Sequence, residues 1–66
     1  MRDQVLWRKI ARIIILIKDQ LGIPVEKAMD LFYRSHTFEL LNNPETGLQL
    51  MSDQYIFEDF CKEMEA

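Results

Sequence analysis

The sequence predicts an all-α fold: one domain over residues 1–66, built as a compact bundle of three to four short helices. Three observations predict it. Apolar residues recur at helical spacing in separate windows along the chain. Both glycines and both prolines fall between those windows, where helices stop and start. No segment alternates polar and apolar residues long enough to make a secure strand, and the nearest candidate, "LQLM" at Leu48–Met51, is too brief.

The first helix is expected from about Gln4 to Leu21. At roughly 100° per residue, Leu6, Trp7, Ile10, Ile13, Ile14, Ile17 and Leu21 share one arc of about 120°, an ordinary core-facing stripe. The β-branched run "IIILI" would suit a strand, but the period of the longer window favours a helix. Arg8, Lys9 and Arg12 lie on the far side as a basic face in solvent. Val5, Ile15 and Leu16 also lie outside the stripe. Gly22 then supplies the left-handed residue that commonly ends a helix.

Pro24 begins the second helix in its first turn, where a missing N–H costs nothing. Its stripe is Val25, Ala28, Met29 and Phe32, with Leu31 and Tyr33 off it. Ser35 is the expected N-cap of a short third helix, about His36 to Leu41, with Phe38 and Leu41 inward. "NNPETG" reads as a turn: Pro44 biases Asn43 away from helix and Gly47 frees the exit. Ser52 caps the last helix, Asp53 places a favourable charge at its N-terminus, and the helix runs to about Met64. Its stripe is Ile56, Phe57, Phe60, Cys61 and Met64, and Glu63 and Glu65 fall in a fraying tail.

Size and composition narrow the chemistry. A chain this short buries only about 60% of the surface its unfolded form exposes, so its core is marginal. Cys61 alone excludes an internal disulfide, and with no secretory signal it points to a reducing, cytoplasmic setting. One Cys and one His fall short of the four ligands of a structural zinc site. Association with another chain is the remaining support. Hydrophobic content of 48% with 29% charge describes a folding chain and not a disordered one. The net charge of −3 is divided unevenly. Residues 1–18 carry five basic residues against Asp3, net +4, and residues 19–66 carry three against ten acids, net −7. The two parts can attract each other or face different partners. The apolar run is too short for a bilayer, which takes about 20 residues, so no membrane is expected.

No enzymatic signature is present, and no catalytic, cofactor-binding or metal-binding residue is predicted. There is no glycine-rich phosphate loop, His36 reads as a cap or surface residue, and Cys61 reads as a small core hydrophobe. Glu58 and Asp59 are adjacent and point about 100° apart on a helix, so they do not converge. A DNA-binding regulator is the alternative from a different class, with Arg8, Lys9 and Arg12 on phosphates. Against it, the segment that would enter a groove carries Glu26, Asp30 and Glu39 with only Lys27 and Arg34. Protein binding fits better. Val5, Ile15 and Leu16, flanked by Arg8 and Arg12, form the predicted partner-binding surface, for a protein partner or a second copy. Glu58, Asp59 and Glu63 offer a second, acidic contact.

Residues Lys27–Phe60, "KAMDLFYRSHTFELLNNPETGLQLMSDQYIFEDF", add a resemblance. An aromatic pair, Phe32 and Tyr33, precedes Ser35, Thr37, Phe38, Leu40 and Leu41. Glu45, Thr46, Gly47 and Leu48 follow, then Ser52 and Tyr55 before a hydrophobic helix. This pattern resembles a group of small uncharacterised bacterial proteins. They are encoded in clusters beside other short domains, one of which is similar to an ADP-ribosyltransferase-like toxin. The resemblance covers about half the chain and implies an antitoxin or regulatory subunit that binds and silences a partner. It implies no catalytic residues.

Overall fold

The first helix, α1, spans Arg2–Leu21. A computed structural model describes the backbone of residues 2–65 and side chains from Gln4 to Glu65. Ile10, Ile13, Ile14 and Ile17, at i, i+3, i+4 and i+7, are essentially sealed from solvent. Packing around this face overrides the weak helix propensity of four isoleucines. The helix stops where expected: Gly22 adopts φ +65°, and the Ile23 N–H donates to the Lys18 carbonyl at 3.2 Å. That is the six-to-one bond of a left-handed helix cap. Two members of the predicted stripe are corrected, since Trp7 is 56% and Leu21 46% exposed. Trp7 stands at one edge of the arc, and Leu21 is the last residue of the helix.

Helix α2 spans Val25–Tyr33, with Pro24 as its extended N-cap, one residue outside the expected first turn. Ala28 and Phe32 are buried and Leu31 is half-buried, whereas Val25 and Met29, expected inward, are more than a third exposed. The cause is the pull of the later helices. Phe32 meets Phe60 edge-on at 5.8 Å and Phe38 at 5.5 Å between ring centroids. That contact turns the buried side of α2 away from Val25 and Met29.

Helix α3 covers His36–Asn42. The Ser35 hydroxyl caps it, accepting the Phe38 N–H at 3.1 Å and donating to the Phe32 carbonyl at 2.6 Å. Two 3₁₀ turns, Pro44–Thr46 and Leu48–Leu50, carry the chain onward through Gly47 at φ +70°. "LQL" is therefore a 3₁₀ turn, held by the Leu50 N–H on the Gly47 carbonyl. Leu48 is its buried anchor.

Helix α4, Asp53–Glu65, starts under the predicted cap: the Ser52 hydroxyl accepts the Tyr55 N–H at 3.1 Å. Ile56, Phe57 and Phe60 are buried and Cys61 half-buried, while Met64, placed on the stripe, is exposed near the helix end. Helix α1 packs against both α2 and α4, and α3 closes the far end against α4. The chain is all-α: four α-helices around one core, with no strand among the described residues. No described helix is long and apolar enough to cross a membrane.

Candidate functional site

Two ridges run beside each other on the open face of the α1–α2 pair. Trp7, Ala11 and Ile15 are spaced i, i+4, i+8 along α1, and Val25, Met29 and Tyr33 repeat that spacing along α2. Residues four apart share a helix face, so each set makes a continuous rim. Ile10 and Ile14 floor the groove between them, which has a volume of about 240 Å³. The lining side chains are apolar except for the Tyr33 hydroxyl and the Trp7 indole N–H. Trp7 is 56% exposed and Ile15 is 53% exposed, so the rim is wet.

The predicted partner-binding residues do not share one patch. Ile15 lines this groove. Leu16, its neighbour and about 100° around the helix, is half-buried and packs against the core. Val5 is 65% exposed and is not part of the groove. Arg8 is exposed, with no ion-pair partner among the described residues. Arg12 is engaged on the chain itself: its Nε donates to Asp53 Oδ2 at 2.7 Å.

The basic face is thus only partly free. Lys9, expected in solvent, is mostly covered, and its ammonium donates to Asp53 Oδ1 at 3.0 Å. Hydrogen bonding from Arg12, followed by that from Lys9, holds the Asp53 carboxyl below the usual carboxylate range despite partial burial. The same bond raises the Arg12 guanidinium. This cluster ties the basic N-terminal helix to the start of α4, so opposite charge in the two parts of the chain is used internally at this point.

Glu63 is also corrected. It is not part of a fraying tail, because its Oε2 accepts the His36 N–H at 2.7 Å while its Oε1 accepts the Thr37 N–H at 3.0 Å and the Thr37 hydroxyl at 2.9 Å. Burial pushes this carboxyl up, but the His36 and Thr37 donors outweigh it and hold it below its ordinary value. Glu63 is the second cap of α3 and is withdrawn from the acidic surface proposed with Glu58 and Asp59. Cys61 is half-buried, and desolvation raises its thiol above the usual range, so it is not an activated nucleophile.

Sequence reasoning placed Trp7, Val25 and Met29 in the core and missed the groove they line. The signal was present in the repeated four-residue spacing of the two ridges. What hid it was the direction in which α2 turns, which Phe32, Phe38 and Phe60 decide. No protein-family model, curated protein or solved structure matches this chain.

Proposed function

We propose that this protein is a small protein-interaction module that docks another polypeptide on the groove between α1 and α2. One observation carries the reading: two apolar ridges and their shared furrow stand open in a chain of 66 residues, where burial is scarce. A fully buried aliphatic or aromatic side chain contributes about 1.5–3 kcal/mol, so covering Trp7, Ile15 and Met29 gives a partner substantial binding energy. Trp and Tyr are the side chains that interfaces favour as anchors.

Following the resemblance over residues 27–60, we place the module as the neutralising or regulatory member of a toxin–antitoxin-like pair, acting in the cytoplasm. The engagement of Lys9 and Arg12 with Asp53 supports protein over duplex DNA as partner, because both cations are already paired within the fold and their shared carboxylate offsets one of the two charges. A photo-crosslinking amino acid placed at Met29 in cells producing the protein tests the docking face, with Glu45 in the exposed turn as control. A polypeptide adduct at position 29 and none at 45 is expected. No adduct at 29, or equal adducts at both, rejects the groove. For the antitoxin role, co-expression with the neighbouring gene product relieves growth arrest, and Met29→Glu abolishes relief. Relief by neither chain, or by both, rejects it.

A further inference from the structure

We infer that the occupant of this groove is an amphipathic helix of another polypeptide, acidic along the edge that meets α1 and basic along the edge that meets α2. The inference rests on the groove being a protein-docking face and adds the form and charge of what fills it.

The form follows from hydrogen bonding. Both walls are helices, whose backbone groups bond within the helix, and no strand among the described residues offers an edge to pair with. The lining side chains contribute only the Trp7 indole N–H and the Tyr33 hydroxyl. An extended segment pressed onto such walls would turn N–H and C=O groups toward surface that cannot bond them. A helix brings its backbone already satisfied and presents an apolar stripe. From Trp7 to Ile15 the α1 ridge runs about 12 Å at 1.5 Å per residue, and Val25 to Tyr33 matches it, so two to three turns of an occupant span the furrow.

The charge follows from what the fold leaves unmatched on the two outer shoulders. At 100° per residue, the order around α1 runs from the floor through Trp7, Ala11 and Ile15 to Arg8. Around α2 it runs from buried Phe32 through Val25, Met29 and Tyr33 to Glu26 and then Asp30. Most charges near these shoulders are paired within the chain: Arg12 with Asp53, Lys18 with Asp19 and Asp30 with Arg34. Arg8 and Glu26 are exposed and have no ion-pair partner among the described residues. One cation therefore stands free beside the α1 ridge and one anion beside the α2 ridge. A helix carrying opposite signs on its two edges meets both, and charges at such a rim select among partners.

Trp7, the only tryptophan of the chain, lies in the rim and reports binding through its fluorescence. The probes are stapled synthetic helices of about 18 residues without tryptophan, with Leu at i, i+4, i+7 and i+11. One carries Glu on one edge of the stripe and Lys on the other, a second Glu on both edges, and a third Lys on both. The two-signed peptide should shift Trp7 emission to the blue and bind about fivefold more tightly than either single-signed one at physiological salt. Arg8→Glu should transfer the preference to the all-Lys peptide. Glu26→Lys should transfer it to the all-Glu peptide, although the protein's net charge is then −3 + 2 = −1 and still repels acids. Four outcomes overturn the proposal: no peptide shifting Trp7, affinities that follow net charge alone, an unstapled peptide interrupted by proline binding as well, or a wild type that buries Trp7 by self-association on sedimentation. If the peptides fail while another polypeptide still crosslinks at position 29, the helix is struck and the docking face stands, so the two readings fail separately.

Discussion

The junction of α3 with α4 and the open face of α1 with α2 are built from similar residues and end in opposite states. At the junction, Phe32, Phe38 and Phe60 meet edge-on, Ser35 and Glu63 satisfy the first N–H groups of α3, and Thr37 is buried with its hydroxyl bonded. Donors and apolar surface are both accounted for there, because three helices converge. On the open face only two helices meet, and two helices leave a furrow. The difference teaches that a chain of this length seals one side of its long helix and leaves another open.

Breaking the sealed region should cost the most. Phe60→Ala removes a fully buried ring from the aromatic cluster and should cost about 3–5 kcal/mol, a large part of the stability of so small a domain. Chemical denaturation followed by circular dichroism measures it, and a loss under 1 kcal/mol would mean that the cluster is not the anchor described. Glu63→Ala strips the second cap from α3 and should cost about 1–2 kcal/mol. Loss of the Ser35 cap in Ser35→Ala should cost about 1 kcal/mol.

Acid sharpens the same contrast. The folded-state pKa values of Glu63 and Asp53 are depressed. Their contribution is therefore present above the ordinary carboxylate range and is lost as pH falls through the depressed folded values. Melting temperature should fall across that acid window, and Glu63→Gln should flatten part of the fall. An unchanged acid limb in the variant would contradict the capping role.

The smallest effect on the fold belongs to the open face. Met29→Glu should cost no more than about 1 kcal/mol, because Met29 is already 38% exposed and only its covered part has burial to lose. A loss above 2 kcal/mol would show that Met29 is part of the core and that the furrow is closed. A paired change of Ile15 and Leu16 to Glu is a poorer probe than either ridge residue alone, since Leu16 packs against the core.

Much of this architecture was legible beforehand where a local signal suffices. Ser35 and Ser52 cap the helices they were expected to cap, and Gly22 and Gly47 take the positive φ their positions require. The inner isoleucines of α1 follow from period alone. The candidate site was legible only in fragments. Ile15 was marked as uncovered, but it was joined to Val5 and Leu16, whereas the fold joins it to Met29 and Tyr33. A wheel gives the angle of each side chain about its own axis and says nothing of which neighbouring helix lies in that direction.

The sequence by itself determined an all-α bundle of three to four helices, the caps and glycines that bound them, and a surplus of apolar residues on the first, because hydrogen bonds, caps and helical period act over a few residues. Only the tertiary structure decided which of those apolar residues stay wet, that Lys9 and Arg12 spend their charge on Asp53, and that Glu63 reaches back to cap α3. Those outcomes depend on how the helices are rotated against one another. That rotation is set by the contact of Phe32 with Phe38 and with Phe60, the last of them 28 residues further along the chain, which no local pattern encodes.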